Sequence, residues 1–111
     1  MDDCIFCKIA AHQIPSTVVY EDEKVIAFDD LSPQAPVHTL VIPKDHYANI
    51  VDGVPADVLA AMVNAVQEVA RAKGLDDGFR VIANTGDVAG QTVHHFHMHV
   101  LGGKPLGENL V

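Results

Sequence analysis

The chain has 111 residues, of which 49% are hydrophobic and 20% charged, so it can bury the core of one domain over 1–111 but not of two. The formal net charge is −8 with only seven Lys and Arg, which argues against a nucleic-acid partner because phosphate binding needs a basic face. No apolar run reaches the roughly 18 residues that cross a membrane. An acidic start, Met1-Asp2-Asp3, lacks the features of a signal peptide. We therefore expect a cytoplasmic protein with no membrane partner.

The first part of the chain predicts a short helix followed by three strands. Residues 4–10 carry apolar side chains at helical spacing. Residues 17–20 and 25–29 are β-rich runs separated by a polar stretch, which predicts a hairpin. Residues 31–36 contain two prolines and predict a loop, and residues 38–43 predict a third strand.

The second part predicts one long helix and two further strands. Residues 56–73 carry an apolar stripe at spacings of three and four, formed by Val58, Leu59, Met62, Val66 and Val69. Gly74 is placed to cap the end of this helix. Residues 80–83 and 95–101 predict strands on either side of a loop at 84–91. The order predicts an α+β fold in which an antiparallel sheet of about five strands carries one long helix and one short N-terminal helix.

Histidines alternate with apolar residues in the last predicted strand, where residues 94–101 read HHFHMHVL. His95, His97 and His99 should share one face at intervals of about 6.6 Å, and Phe96, Met98 and Val100 the other. Several imidazoles could then converge on one phosphate-sized group. Neutral imidazole is a good nucleophile near neutral pH, since its ordinary pKa is about 6.5. A pure metal site is the alternative, because imidazole is the commonest metal ligand.

The segment HFHMHVL resembles the H-x-H-x-H signature of the histidine triad (HIT) family. Further segments resemble that family in the same order: CIFCKI near the start, AFDDLSPQAPVHTLVIPKDH at 27–46 and NTGDVAGQTVHHFHMHVLGG at 84–103. The similarity extends from Cys4 to about Pro105. SPQAP and LGG resemble the Hint branch, which hydrolyses nucleoside phosphoramidates and acyl-nucleotides. The resemblance implies a HIT-like fold, a purine nucleotide substrate, a homodimer and no organic cofactor.

The resemblance also implies roles for four histidines. His97 corresponds to the nucleophile that forms a nucleotidyl-histidine intermediate. His99 corresponds to the residue that contacts a phosphate oxygen and helps to protonate the leaving group. His38 would support the proton network, and His95 would orient the nucleophile or bind metal.

A nucleotide site follows from the same comparison. Asp30 corresponds to the carboxylate that accepts hydrogen bonds from the ribose, although its sequence context alone favours a turn residue. Four side chains would line the base pocket, or simply belong to the core: Phe6, Ile9, Phe28 and Leu31. Asn84 corresponds to an asparagine near the phosphate. The loop of Gly90, Gln91 and Thr92 should lie against the phosphate, because glycine permits close approach and successive amides attract anions.

Cys4 and Cys7 form a C-x-x-C pair, which in the cytoplasm indicates metal or redox chemistry and not a structural disulfide. By resemblance, Cys4, Cys7, His46 and His95 correspond to a zinc arrangement of some family members. A closed set of four ligands would make this zinc structural. The alternative is a pair of reduced, partly buried thiols.

Three features depart from the family pattern. Asp29 stands where the Hint branch commonly has histidine, and His94 stands where it has an aromatic ring. No tryptophan follows the LGG segment, which affects the expected leaving-group preference. Two other functions remain open: a dinucleoside polyphosphate hydrolase, and a non-catalytic nucleotide sensor on the same fold.

Overall fold

The computed structural model describes residues 3–111, so the first two residues of the acidic start, Met1 and Asp2, lie outside the described part. The helices are α1 (Ile5–Ala10) and α2 (Ala56–Ala72), and the strands are β1 (Val18–Glu21), β2 (Val25–Asp29), β3 (Val37–Pro43), β4 (Arg80–Ile82) and β5 (Met98–Gly102). The strands form one sheet in the order β1-β2-β3-β5-β4, with every neighbouring pair antiparallel. This architecture confirms the predicted α+β fold.

The two helices cover opposite faces of the sheet. Successive side chains along each strand point to alternate faces, so each strand can contribute to both layers. On one face, α2 packs against a layer formed by Val25, Ala27, Val41 and Val100. On the other face, α1 packs Phe6 and Ile9 against a layer formed by Ile26, Phe28, Leu40 and Ile42. His38 lies two and four residues before Leu40 and Ile42 in β3, so its side chain shares their α1 face.

The predicted apolar stripe of α2 faces the sheet. The buried side chains of this face are Val58, Met62, Ala65, Val66, Val69 and Ala70. Leu59, which the prediction also placed in the stripe, is only partly buried. The helix ends one residue earlier than predicted. Gly74 then takes a φ of 69°, and the N–H of Leu75 donates to the carbonyl of Ala70 at 2.9 Å, which closes the helix end. Within residues 3–111, no helix is both long and apolar enough to cross a bilayer.

The last strand differs from the prediction, because β5 begins at Met98 and not at His95. The N–H of Phe96 donates to the carbonyl of Tyr47 at 2.6 Å, so this backbone group does not continue the ladder with β3. The end of β3 is Pro43, which has no N–H to donate. The side chains still alternate across residues 95–100, with Phe96 in the α2 core. The other helices and strands begin and end within about one residue of their predicted bounds. A short helical turn at Asp87–Ala89 lies inside the segment that was predicted as a loop.

Candidate active site

A cleft of about 300 Å³ opens on the α1 face of the sheet. It is lined by Ile5, Phe6, Ile9, Ile14, Pro15, Ser16, Phe28, Asp29, Asp30, Leu31, Leu40, Thr92, Val93, His97 and His99. A larger cleft of about 620 Å³ lies between residues 74–80 and 103–106, but it has no histidine in its lining. Chemistry and not size therefore identifies the candidate site, because only the smaller of these two clefts combines apolar walls, a carboxylate and imidazoles.

His97 is held in one tautomer at the wall of this cleft. Its Nδ1 atom lies 2.7 Å from the carbonyl oxygen of His95, which can only accept a hydrogen bond. Nδ1 therefore carries the proton, and the lone pair of the neutral ring resides on Nε2. The ring of Phe6 packs edge-on against the imidazole at 5.1 Å and 89°, which limits its rotation. The arrangement leaves His97 with a fixed nucleophilic atom.

His38 and His99 form a hydrogen-bonded pair beside His97. The backbone N–H of Gln34 donates to Nδ1 of His38 at 3.0 Å, so the proton of neutral His38 resides on Nε2. That Nε2–H donates to Nδ1 of His99 at 2.8 Å. His99 consequently carries its own proton on Nε2. Asp30 completes the group, with Oδ2 at 3.4 Å from Nε2 of His38.

Burial favours the neutral form of His97 and His99. Removal from water lowers the pKa of His97 below its ordinary value, against the opposing attraction of Asp30. Burial, together with the charges of His97 and His38, lowers the pKa of His99 to about 4. Neutral His97 can act as a nucleophile at pH 7, and neutral His99 can act as a hydrogen-bond donor there.

Not all the predicted nucleotide-binding residues line this cleft. Those that do are Phe6, Ile9, Phe28, Asp30, Leu31, Thr92, His97 and His99. Asn84 and Gly90 do not. Gln91 is turned inward and is only 3% exposed. Its amide oxygen accepts from the N–H of Gly86, and its amide nitrogen donates to the carbonyls of Ala48 and Val93. These hydrogen bonds hold the loop in place.

Further residues in the lining were not predicted, among them Ile14, Pro15, Ser16, Leu40 and Val93. Nothing in their local sequence distinguishes an apolar cleft wall from ordinary core. Asp29 also borders the cleft, but its carboxylate is bound elsewhere. It accepts from the hydroxyl of Thr39 at 2.9 Å and from Nζ of Lys73 at 3.0 Å. The aspartate thus joins the end of β2 to β3 and to the segment after α2.

A second cluster brings together the four predicted metal ligands. Cys4 Sγ lies 3.3 Å from Nδ1 of His95, and Cys7 Sγ lies 3.3 Å from Nδ1 of His46. All four donor atoms lie within 4.8 Å of one another. A tetrahedral zinc ion, with bonds of about 2.3 Å to sulfur and about 2.0 Å to nitrogen, separates neighbouring sulfur and nitrogen ligands by about 3.5 Å. The donor set and its spacing therefore fit a zinc ion.

The surroundings of the cluster favour a cation as well. Nε2 of His95 donates to the carbonyl of Pro43 at 2.8 Å, which leaves its Nδ1 lone pair facing the thiols. Burial, and then the neighbouring Cys4, raise the pKa of Cys7 to about 11. Two adjacent thiolates repel each other, and a divalent cation between them would remove that cost.

Asp30, His38 and His99 also lie close enough together to be considered as metal ligands. Their hydrogen bonds argue against that use. The Nε2 atom of His38 carries a proton, and Nδ1 of His99 accepts it. Neither atom offers a free lone pair, so this group is better described as a proton-carrying network.

The antiparallel sheet, the α1 cover and the cleft with its neutral histidines together define a histidine-centred α+β protein. Residues 11–106 match the HIT domain family, and the chain belongs to that family. It is 44% identical over 112 residues to purine nucleoside phosphoramidase of Escherichia coli K12, covering 98% of this chain and 94% of that protein. It is 43% identical to the 14 kDa zinc-binding protein of Brassica juncea, covering 94% and 96% of the two chains. A solved HIT family hydrolase from Clostridium thermocellum superposes with a TM-score of 0.95 at 45% identity, covering 100% of this chain and 99% of that one.

Proposed function

We propose that the protein hydrolyses nucleoside 5′-phosphoramidates or acyl-nucleotides of the AMP type through a nucleotidyl-His97 intermediate. The observation that carries the proposal is the Nδ1–H of His97 bound to the carbonyl of His95 at 2.7 Å. This bond leaves Nε2 as the nucleophilic atom and stabilises the positive charge that the ring gains when Nε2 is substituted. The similarity to a relative named purine nucleoside phosphoramidase supports the same chemistry.

The proposed reaction has two steps. Nε2 of His97 bonds to phosphorus, and the bond from phosphorus to the amine or acid breaks, with the electron pair leaving on that group. A basic leaving nitrogen takes up a proton. This proton comes from solvent and reaches the leaving nitrogen through Nε2 of His99. Water then breaks the bond between phosphorus and His97, which releases the nucleoside monophosphate and returns a proton to solvent. His38 keeps His99 in the required tautomer, because its Nε2–H occupies Nδ1 of His99.

The walls of the cleft support a nucleoside as the bound group. Phe6 and Phe28 lie edge to face at 5.6 Å and offer aromatic surface for a flat base. Ile9 and Leu31 extend that apolar surface. Asp30 borders the same cleft, and its carboxylate has further lone pairs for two ribose hydroxyls.

We also propose that Cys4, Cys7, His46 and His95 hold a structural zinc ion. The convergent donors support this, as does the similarity to a relative named as zinc-binding. When bound, zinc would supply a crosslink between α1 and the segment before β5. A closed set of four ligands leaves no position for a reacting water molecule.

A homodimer is our third proposal, with β4 as part of the contact. This strand lies at the edge of the sheet, and Phe79 and Val81 are each 42% exposed there. An exposed edge with apolar side chains favours pairing with another chain. Sedimentation of the wild type should give twice the chain mass, and Val81→Asp should lower the association constant by about tenfold or more. A wild type that sediments as a monomer at high micromolar concentration contradicts the proposal.

Hydrolysis of adenosine 5′-phosphoramidate tests the proposed activity directly. Rapid quenching followed by mass spectrometry should find the adenylyl group on His97. The same protein should be assayed with diadenosine polyphosphates, since faster turnover of these would favour the alternative hydrolase. Binding of AMP without turnover of either substrate class would instead identify a nucleotide sensor.

A further inference from the structure

His95 contacts both the two thiols of the proposed zinc site and His97 of the cleft. Its Nδ1 atom faces the two thiols, at 3.3 Å from Cys4 and 3.4 Å from Cys7. Its carbonyl oxygen accepts the Nδ1–H of His97 at 2.7 Å. The side chain is fully buried, and Nε2 is bound to the carbonyl of Pro43. Both ring nitrogens and the carbonyl of His95 are therefore engaged, so a displacement of this residue at the thiols would also move the hydrogen-bond partner of His97.

Phe6 provides a second connection. It lies on α1 between Cys4 and Cys7, and the thiol of Cys4 caps this helix by accepting the N–H of Cys7 at 3.3 Å. The aromatic ring contacts both imidazoles, with centroids 6.0 Å from His95 and 5.1 Å from His97. A short helix of six residues has little stability of its own, so its start depends on what holds the two cysteines.

We infer that the cluster of Cys4, Cys7, His46 and His95 is a positioning device for His97, and that a zinc ion there sets the orientation of the nucleophile. The inference rests on the proposed function of His97 for its catalytic consequence only. Fixing His95 and α1 would hold the imidazole of His97 against its carbonyl partner. Phe28, Asp30 and Leu40 line the nucleotide cleft and are not members of the cluster. Emptying the cluster should therefore affect the placement of His97 more than nucleotide affinity.

Nuclear magnetic resonance of ¹⁵N-labelled protein tests the link without any substrate. The Nδ1–H proton of His97 should give a slowly exchanging signal in zinc-loaded wild type, assigned by its absence in His97→Ala. Chelation of zinc, or the double substitution Cys4→Ser with Cys7→Ser, should increase its exchange rate by about tenfold or more. The Nε2–H signal of His38 serves as an internal reference and should persist.

A second readout measures the chemical step. In single-turnover reactions with adenosine 5′-phosphoramidate, the cysteine double variant should form the nucleotidyl-histidine about tenfold more slowly or worse, because misplacement of a reacting group is costly. The dissociation constant for AMP should change by less than this rate, because Phe28, Asp30 and Leu40 of the cleft lie outside the cluster. Chelated wild-type protein provides the same comparison if the double variant fails to fold.

Met62→Ala is the matched control, since Met62 lies on α2, is fully buried and packs on the opposite face of the sheet. It should lower the melting temperature and leave the His97 signal unchanged. The inference is overturned if zinc does not bind, if Met62→Ala loses the signal equally, or if chelation leaves the exchange rate of His97 unaltered. If the wild type does not turn over the phosphoramidate but its His97 signal responds to zinc, the proposed function fails and the positioning role stands.

Discussion

Nε2 of His38 lies 2.8 Å from Nδ1 of His99, and the backbone N–H of Gln34 occupies the other nitrogen of His38. A peptide N–H at one end of the chain of imidazoles therefore decides where each proton resides. It directs the Nε2–H of His99 away from His38 and excludes the tautomer in which His99 would donate to its neighbour. The same logic operates at His97, where a carbonyl replaces the N–H and reverses the assignment.

Substitution of the proposed nucleophile, His97, should abolish turnover and preserve binding. We expect His97→Ala to lower kcat for adenosine 5′-phosphoramidate by about three or more orders of magnitude, because the two-step route is lost. Calorimetry should still detect AMP binding. The control is His94→Ala, which removes an exposed histidine paired with Asp87. Near-native turnover by His97→Ala would falsify the proposed mechanism.

Asp30→Asn should weaken ribose recognition selectively. The asparagine oxygen can still accept the N–H of Ser32, which donates to Asp30 at 2.8 Å, so the turn should survive. Charge-assisted hydrogen bonds to the two hydroxyls are lost, and the affinity for AMP should fall by about tenfold or more.

The 2′,3′-dideoxy analogue of AMP is the comparison ligand, because it lacks both hydroxyls. Its affinity should be nearly the same for wild type and Asp30→Asn. Equal losses for the two ligands would show that Asp30 acts through the fold, or through its contact with His38, and not through the ribose.

Acid should destabilise the metal-free protein through His99. Burial lowers the pKa of this residue to about 4, whereas in the unfolded chain it is near 6.5. Between these values the unfolded chain binds more protons than the folded one. The free energy of unfolding therefore falls as the pH drops from 6.5 towards 4, by about 2 kcal/mol for this residue.

Urea unfolding at pH 7, 6 and 5, with a chelator present, measures this dependence. His99→Gln should have a shallower pH dependence than the wild type, since its side chain does not titrate. His94→Gln controls for loss of an imidazole at the surface. Parallel curves for wild type and His99→Gln would rule out the proposed contribution.

Zinc should be present at about one ion per chain in protein purified without metal-affinity steps. A ligand bound only by the folded chain stabilises it, so chelation should lower the wild-type melting temperature by roughly 10 °C. Cys4→Ser with Cys7→Ser should bind no zinc, and its melting temperature should not respond to the chelator. Elemental analysis and thermal unfolding of both proteins, with and without chelator, provide the complete comparison. A zinc content near zero in wild type removes the ion from the proposal.

Periodicity in the sequence was sufficient to predict the helices and strands. It was also sufficient to predict that His95, His97 and His99 share one face. The stripe of α2 and the alternation across residues 95–100 are local properties, because the geometry of a helix or an extended segment sets them residue by residue. Both predictions agree with the structure, even though β5 begins only at Met98. The HIT family was recognisable for the same reason, since its segments are contiguous in the chain.

The protonation pattern and the use of each polar side chain depended on contacts between distant parts of the chain. His95 meets Cys4 across 91 residues, and His38 meets His99 across 61, so no local pattern reports which nitrogen is free. Gln91 illustrates the limit, because its loop is glycine-rich and polar, as phosphate loops are, yet its amide bonds to the backbone of Gly86 and Ala48. The hydrogen-bond partner of a polar side chain is whichever unsatisfied group the fold places beside it. That partner is therefore determined only in the tertiary structure.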